Sequence, residues 1–320
     1  MLMDEAGKQQ NMSQDIKPLW WAFLLPLIAV VIWSFNIAIT RYVADYISPV
    51  SISFYRWLLA FLLLTPFMLF RVYKQWTLIQ PHLHQLAILG ACGMVLYQGL
   101  AYSAAHHTTA TNMGIINAFI PVFTVFISML ILKEIPNRFA VIGSVLSFVG
   151  LLYLMSQGDL NQLLHLGGHW GDILMVMAVF CYALYGVFLK KWQLKLPLLL
   201  SLYVQIAFAL LFHLPFVWAL GLDPINTDNC SSVAYAGVFP SLLAPLVWML
   251  AVQSLGPNRT SIFMNIMPLT TAMIAYLWLN EAWTLYHSIG GVIILVGIVL
   301  AQKKTPMSTP SIQIESDVRS

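Results

Sequence analysis

Long apolar runs recur along almost the whole chain, separated by short connectors that hold most of the charged residues. Each run approaches the roughly 20 residues that an α-helix needs to cross the hydrocarbon core of a bilayer. Only 8% of the residues are charged and 60% are hydrophobic, whereas a soluble domain has about 25% charged residues. The runs lack the alternating polarity of membrane β-strands. The sequence therefore predicts an all-α integral membrane protein.

The apolar runs predict ten membrane-spanning helices. We expect these helices near residues 19–41, 50–70, 84–105, 112–132, 138–156, 171–190, 197–220, 232–255, 260–279 and 284–302. The first run is too long for the core of a signal peptide and has no cleavage site of small residues behind it, so it is expected to be retained. The connectors are short, which leaves no room for a soluble catalytic domain.

The positions of the basic residues predict the orientation of the helices. Most of the fifteen Lys and Arg residues fall on the same side as the N terminus: Lys8, Lys17, Arg71, Lys74, Lys133, Arg138, Lys190, Lys191, Lys195, Arg259, Lys303, Lys304 and Arg319. The exceptions are Arg41, on the opposite side, and Arg56, inside a span. Because cytoplasmic connectors keep Lys and Arg and translocated ones lack them, both termini are predicted to be cytoplasmic.

Two parts of the chain share the same spacing of rare residues. Four residues of the fourth and fifth runs recur in the ninth and tenth: Pro121, Glu134, Gly143 and Gly150 against Pro268, Glu281, Gly290 and Gly297. A weaker match pairs Arg56 with Gln205. Because each copy has five spans, an odd number, the second copy enters the membrane inverted. Inverted repeats are typical of secondary transporters that work by alternating access.

These segments resemble the drug/metabolite transporter superfamily and, within it, the EamA domain family. The stretch 33–60, with Arg56, resembles the opening pair of helices of that family, and 108–134 resembles its small-residue fourth helix with a mid-span Pro and a terminal Glu. The segments GSVLSFVGLLYL and GGVIILVGIVLA resemble its Gly-spaced closing helices. The second half departs from the pattern at Gln205 and at Asn280. The resemblance implies a ten-helix bundle that exports small metabolites, often amino acids, from bacteria.

The repeats and the charges divide the chain into five parts. These are a cytoplasmic tail at 1–18, a first EamA-like repeat at 19–156, an external loop at 157–170, a second repeat at 171–303 and a cytoplasmic tail at 304–320. The resemblance implies the bacterial inner membrane as the location. The expected partners are a small-molecule substrate and the lipid bilayer, and a homodimer is left open.

The sequence gives no support to metal, cofactor or nucleic-acid binding. Cys92, Cys181 and Cys230 have no disulfide or metal-ligand spacing, and the adjacent His106 and His107 do not share a helix face. No basic block of the kind that binds nucleic acid is present. An integral-membrane enzyme would need a cluster of acidic or His residues, and none is visible. Import of a nutrient and a non-transporting scaffold remain as alternatives.

Polar and aromatic residues inside the spans are the candidate substrate-binding residues. They are Asn36, Arg56, Gln98, Tyr102, Asn117, Tyr185, Trp248 and Asn265. The first five fall in the predicted outer half of the membrane and the last three in the inner half. A charge inside a span is costly and usually faces a cavity or a partner, so Arg56 has a structural role, snorkels to the headgroups or contacts a substrate carboxylate. For the amides, hydrogen bonding between helices is the alternative.

Paired prolines and glycines indicate how the halves move and pack. Pro121 and Pro268 lie near mid-span, where each removes a backbone hydrogen bond and can bend its helix. They are hinge candidates, although a static kink is equally compatible. The repeated Gly residues are expected at close helix contacts.

Two further groups of residues have predicted roles at the ends of the spans. Candidate proton-relay residues are Glu134, Glu281, Asp172, His106 and His107, although uniport is at least as well supported. The residues expected in the interfacial aromatic belt are Trp20, Trp21, Trp57, Trp76, Trp170 and Trp192.

Overall fold

The structure is a computed structural model that describes residues 20–43, 46–105, 107, 113, 116–117, 119–133, 136–159, 170–278 and 282–303. Across these ranges the chain is helical and has no β-strand. The prediction of an all-α fold is therefore confirmed. The two tails, Glu134 and Glu281 lie outside the described residues.

The helices follow the predicted order. The first half contains α1 (Leu24–Val43), α2 (Pro49–Lys74), α3 (Trp76–Ala104), α4 (Ile120–Ile131) and α5 (Arg138–Met155). The second half contains α6 (Trp170–Trp192), α7 (Leu198–Leu220), α8 (Cys230–Leu255), α9 (Met267–Trp278) and α10 (Leu285–Ala301). A short helix, Pro257–Ser261, and a 3₁₀ segment, Ile262–Ile266, lead into α9.

Six of these helices are long and apolar enough to cross a membrane: α2, α3, α5, α6, α7 and α8. Segments of α1, α4 and α10 are apolar but shorter. Large apolar side chains lie on the outside of the bundle, including Phe67 at 69% exposure and Trp218 at 90%. Such a surface fits lipid rather than water, so the chain is a multi-pass membrane protein. The count of ten spans and the cytoplasmic termini stay predictions.

Several helix ends are fixed by local sequence. Ser48 caps α2, its hydroxyl accepting a hydrogen bond from a backbone amide of the first turn, and Pro49 follows at a position where no N–H is needed. Asn137 caps α5 in the same way. Gly221 and Gly256 end α7 and α8 with φ of +75° and +82°, a region that favours glycine. Because these helix ends are fixed, the connectors between the helices stay short.

The two halves pack against each other in matched pairs of helices. Contacts between α2 and α7, and between α5 and α10, join each helix to its own counterpart. In the first half α1 packs on α8 and α9, and its counterpart α6 packs in the same way on α3 and α4. Likewise α2 packs on α8, and its counterpart α7 packs on α3. Each of these contacts crosses from one half to the other. The main core therefore lies at the boundary between the halves.

The contact between α5 and α10 is a glycine seam, formed by Gly143, Gly150, Gly290 and Gly297. A Cβ atom added at Gly297 would lie 2.5 Å from the backbone nitrogen of Ser147, and one added at Gly290 would lie 3.0 Å from the carbonyl oxygen of Gly150. Real Cβ atoms essentially never approach to 2.5 Å, and 3.0 Å is tighter than most of their contacts. The predicted close-packing role of the repeated glycines is confirmed.

A π-helical segment interrupts each of two equivalent helices. Residues Ala91–Leu96 form the segment in α3, and Phe239–Leu243 form the segment in α8. Such segments are rare inside α-helices and are frequent at functional sites. Because α3 and α8 are counterparts, the two segments occupy equivalent places in the two halves.

Candidate functional site

We name the two ends of the bundle by the predicted orientation: the outer end carries the connector 221–229, and the inner end carries Lys190 and Arg259. At the outer end, Asp223 fixes the start of α2. The amide of Ser48 donates to Asp223 Oδ2 at 2.6 Å, and the hydroxyl of Tyr55 donates to the Asp223 carbonyl at 2.7 Å. Hydrogen bonding from Ser48 lowers the pKa of the Asp223 carboxyl below its ordinary value.

Arg56 lies about two turns into α2 and is 2% exposed. Its Nε donates to Ser241 Oγ at 2.6 Å, and its Nη1 donates to Tyr102 Oη at 3.3 Å. Ser241 belongs to the π segment of α8, so this hydrogen bond joins the two halves. Since the guanidinium is enclosed by protein, snorkelling to the headgroups does not describe its position.

The partners of Arg56 are neutral. A guanidinium offers five N–H donors, and its hydrogen-bond partners here are the hydroxyls of Ser241 and Tyr102. Within the described ranges, no Asp or Glu forms an ion pair with Arg56. A buried cation without a counter-anion is energetically costly. The arrangement is therefore chemically suited to receive a carboxylate.

An aromatic cluster lies next to Arg56 at the boundary between the halves. It consists of Trp33 on α1, Tyr97 on α3, Tyr182 and Tyr185 on α6, and Trp248 on α8. Ring centroids are 5.3 Å apart for Trp33 and Trp248, 4.8 Å for Tyr97 and Tyr182, and 5.9 Å for Tyr182 and Tyr185. The hydroxyl of Tyr97 donates to Asn117 Oδ1 at 3.3 Å. The cluster and the Arg56 group both approach α3 near Tyr97 and Tyr102.

Buried polar atoms without partners lie in and near this cluster. The hydroxyl of Tyr185 and the indole N–H of Trp248 are buried and have no hydrogen-bond acceptor among the described residues. The Oε1 atom of Gln98 is also buried and accepts no hydrogen bond from the described residues. Most buried polar groups in proteins are paired, so the cluster retains unused hydrogen-bonding capacity. A small cavity borders the rings of Tyr182 and Trp248.

Asn265 and Asn36 are the remaining two predicted site residues. Asn265 is fully buried in the segment before α9, and its Nδ2 donates to Ser147 Oγ on α5 at 3.0 Å. Its contact is therefore the hydrogen bond between helices that was the alternative for an intramembrane amide. Asn36 is half-buried on α1, three residues from Trp33.

A second cavity, of about 150 Å³, lies at the inner end. It is lined by Lys190 at the end of α6, by Asn137 at the start of α5 and by the turn that contains Asn258 and Arg259. Asn258 Oδ1 accepts a hydrogen bond from Ser128 on α4 at 3.0 Å. The inner end is thus cationic and polar.

The two hinge candidates occupy equivalent positions in the two halves. Pro121 is the second residue of α4 and Pro268 is the second residue of α9. The 3₁₀ segment Ile262–Ile266 runs without a break into α9. Pro268 therefore lies inside a helical stretch, where 3₁₀ geometry changes to α geometry. The hinge role of the two prolines stays a prediction.

The structure corrects one assignment and adds one residue. Trp57 was expected in the interfacial belt but is 2% exposed, and its ring centroid lies 5.5 Å from the guanidinium carbon of Arg56. His213 on α7 is 4% exposed and was not among the predicted site residues. Its position as an isolated imidazole in an apolar run was visible in the sequence. Tyr97 and Ser241 could not be singled out in that way.

Of the five candidate proton-relay residues, the structure describes His107 and Asp172. His106, Glu134 and Glu281 lie outside the described residues, His107 is exposed at the outer end, and Asp172 lies at the outer start of α6. Among the described residues, no group of His, Cys, Asp or Glu has the arrangement of a metal site.

Long apolar helices in two matched halves, with polar and aromatic side chains at the boundary between them, define a membrane transporter. The chain belongs to the EamA-like transporter family, whose model matches residues 19–156 and 169–302. The resemblance to this family is therefore confirmed, and the chain is a transporter rather than an enzyme.

Relatives of known sequence carry transporter names. An "Uncharacterized transporter" of Archaeoglobus fulgidus is 27% identical over 88% of this chain and 97% of the relative. The "Uncharacterized transporter YyaM" of Bacillus subtilis is 24% identical over 84% of this chain and 88% of the relative. A "Probable terminal-alkyne amino-acid exporter" of Streptantibioticus cattleyicolor is 23% identical over 70% of this chain and 74% of the relative.

The fold also matches a solved structure. A chain titled "Crystal structure of protein" superimposes with a TM-score of 0.71 at 16% identity, covering 88% of this chain and 96% of that chain. At this identity the likeness shows the fold alone.

Proposed function

We propose that this transporter exports small organic metabolites, such as amino acids, across the bacterial inner membrane by alternating access of its two halves. The observation that carries the proposal is Arg56, a buried cation whose partners are two neutral hydroxyls, one of them on the opposite half. A bidentate contact with a carboxylate would pair the guanidinium N–H groups that do not bond the two hydroxyls. The name of the Streptantibioticus relative supports the choice of amino acids as the substrate class.

The aromatic cluster gives the proposed site an apolar side. Rings of Trp and Tyr pack against apolar and unsaturated side chains, and the orphan donors of Tyr185 and Trp248 add hydrogen-bonding capacity. Because Tyr102 contacts Arg56 and Tyr97 contacts Tyr182, one ligand could span the cationic and aromatic parts. In this proposal Asn117, Gln98 and Asn36 complete the outer side of the site.

The bond between Arg56 and Ser241 joins the halves, so it offers a way to couple substrate binding to movement. A carboxylate bound to the guanidinium of Arg56 would compete with Ser241 for its N–H groups. Loss of the hydrogen bond between Arg56 and Ser241 would then release α2 from α8. We propose that this exchange, with the helix turns that contain Pro121 and Pro268 as hinges, opens the site alternately to each side.

The test is efflux from proteoliposomes preloaded with labelled leucine, phenylalanine and propargylglycine, an amino acid with a terminal alkyne. Removal of Arg56 by Arg56→Gln is expected to reduce efflux of at least one of them about tenfold or more, the value of a charge-assisted hydrogen bond. Arg71→Gln, at an exposed position on the same helix, is the matched control and should retain efflux. Unchanged efflux in Arg56→Gln would remove Arg56 from the site, and retention of every compound would favour import or uncharged substrates.

A further inference from the structure

His213 is a buried histidine in the outer half of α7, and it contacts the helix that carries Arg56. Its side chain is 4% exposed, and Ser53 on α2 is 3% exposed. The Nε2 atom of His213 lies 3.0 Å from Ser53 Oγ, and its Nδ1 lies 2.7 Å from the carbonyl oxygen of Ala209. An ionisable side chain inside the membrane marks a functional site by default, and the roles assigned above do not use this one.

The two hydrogen bonds define the protonation chemistry of the imidazole. Because a carbonyl only accepts, Nδ1 must donate to Ala209 and carry the proton in the neutral form. Nε2 then accepts from the Ser53 hydroxyl, and Ser53 presents only lone pairs to its surroundings. When His213 is protonated, Nε2 donates to Ser53 Oγ, and the hydroxyl hydrogen must turn away from the ring. Ser53 thereby changes from an acceptor to a donor toward any group other than His213.

Ser53 and Arg56 lie three residues apart on α2, so they share a helix face and can contact one ligand. An α-amino acid has a carboxylate and an ammonium group bonded to the same carbon. With the carboxylate on Arg56, the hydroxyl of Ser53 is about one helical turn away, where its lone pairs can accept from the ammonium group. A positive charge on His213, directly behind Ser53, would repel that ammonium group.

The charged surroundings of His213 are simple. From α2, Arg56 is the nearest charged residue, and Asp223 lies beyond the outer end of α7, where Ser48 holds it. The part of α3 that packs on α7 contains His84, exposed at the opposite end, and the thiol of Cys92. The segment of α8 against α7, Ala244–Leu255, has no ionisable side chain. In the described residues no carboxylate is therefore placed to hold His213 permanently charged.

We propose that Ser53 and His213 form the site where the substrate ammonium group and a proton exchange. The proposal rests on the proposed function, in which Arg56 holds the carboxylate. Neutral His213 leaves Ser53 free to accept from the ammonium group. A proton taken from water at the outer side onto Nε2 turns Ser53 into a donor and releases the substrate there. At the inner side the proton leaves to water as the next substrate binds, so one proton enters for each substrate that leaves.

The test compares amino acids with their N-acetyl derivatives, which keep the carboxylate and lose the ammonium group. In proteoliposomes preloaded with labelled leucine or phenylalanine at pH 7.5, an external pH of 5.5 is expected to speed efflux about 5-fold or more, the lower end of measured couplings. The N-acetyl compounds should not respond to the gradient. Efflux by His213→Gln and Ser53→Ala should also lose the response. His84→Gln, at an exposed position, is the matched control and should keep it.

A response to the gradient that persists in His213→Gln would overturn the proposal while leaving the transporter and Arg56 in place. A second measurement is independent of transport: NMR of ¹³C-histidine-labelled protein in detergent, with the His213 signal identified by its loss in His213→Gln. The chemical shift of that signal is expected to change with pH, and methylammonium should move the midpoint of this change to lower pH. A signal that responds to neither pH nor methylammonium would disprove the exchange site even if no amino acid is transported.

Discussion

Arg56 and Gln205 occupy equivalent positions in the two halves, but they are used differently. Arg56 makes its hydrogen bonds to other helices, with Ser241 on α8 and Tyr102 on α3. Gln205 is fully buried, and its Nε2 donates to Ser201, one turn earlier on its own helix, while its Oε1 has no partner among the described residues. The scaffold is thus repeated, whereas the polar chemistry is concentrated in one half.

The surroundings of the two residues explain this difference. Near Arg56 the π segment of α8 supplies Ser241, whereas near Gln205 the equivalent helix supplies Gly90. A Cβ atom added at Gly90 would lie 2.6 Å from the carbonyl oxygen of Gln205. The backbones of α3 and α7 therefore touch beside Gln205, where α8 instead offers a hydroxyl to Arg56. A repeat of the fold does not require a repeat of the site.

The largest expected effect comes from placing an Arg side chain at position 205, the counterpart of Arg56 in the second half. Gln205→Arg would bury a charge at a position where the described residues give the present amide one hydrogen-bond partner, the Ser201 hydroxyl. An uncompensated buried charge destabilises by about 3–5 kcal/mol. We expect little folded protein in size-exclusion chromatography after mild heating. Gln80→Arg, at an exposed position, is the control. A stable Gln205→Arg protein that restores efflux to Arg56→Gln would show that the halves are interchangeable.

The glycine seam tests the symmetric part of the comparison. Gly297→Val and Gly143→Val would each push α5 from α10, because the added carbon atoms meet backbone atoms. Overpacking of this kind costs about 1–3 kcal/mol or more. Both variants should lower the melting temperature by similar amounts, and Gly99→Val, where nothing lies within 4 Å, should not clash. A large loss in only one seam variant would contradict the equivalence of the halves.

The bond between the halves can be weakened without removing the cation. Ser241→Ala removes the acceptor of Arg56 Nε and leaves a buried charged donor less well paired, at a cost of about 1–3 kcal/mol. Efflux should fall less than in Arg56→Gln, and the melting temperature should drop. Ser103→Ala, at an exposed position on α3, should change neither. Wild-type stability and efflux in Ser241→Ala would show that this hydrogen bond is not used.

Removal of the polar group of Gln205 should have a small effect of the opposite sign. Gln205→Leu replaces an amide whose Oε1 has no partner by an apolar group of similar size. Because an unpaired buried acceptor is unfavourable, the melting temperature should be unchanged or slightly higher. Efflux should be retained. Loss of efflux in Gln205→Leu would place the amide in the transport path.

The smallest expected effect is a pH-dependent change in stability from the hydrogen bonds at the start of α2. α2 is capped by Ser48 and held by Asp223, whereas Pro197 at the equivalent start of α7 provides no side-chain cap. The pKa of Asp223 is lower in the folded protein than its ordinary value of 3.8, so its stabilising contribution is present above that value and is lost as the pH falls below it. Asp223→Asn should therefore lower the melting temperature slightly at pH 7, and the difference should vanish in acid. A constant difference would exclude the carboxylate as the cause.

The sequence predicted the helices well because apolar length is a strong signal. For example, α7 was expected at 197–220 and is Leu198–Leu220. Gly143 and Gly297 were also predicted correctly, because rare residues with repeated spacing have few alternative uses. By contrast, α3 begins at Trp76 rather than at residue 84, since its polar start continues as a 3₁₀ turn, Gln80–His82.

The direction in which side chains point could not be predicted as well. Helices such as α2 are apolar all round, so the usual periodicity does not separate the lipid face from the core face, and Trp57 was placed on the wrong one. The partners of Arg56 depend on which residue of α8 faces it, and the π segment changes that register. His213 was missed because an isolated histidine has no spacing pattern to identify it.

The π segment of α8 has a geometric consequence for everything that follows it. One extra residue in a helix advances the angular phase of the later residues by about 100°. The segment also leaves the Pro240 carbonyl oxygen available to the indole N–H of Trp33, at 3.3 Å. Deletion of one residue from Phe239–Leu243 would therefore rotate Trp248 away from Trp33 while leaving the first two turns of α8 unmoved. A single inserted residue sets the angle at which one half meets the other.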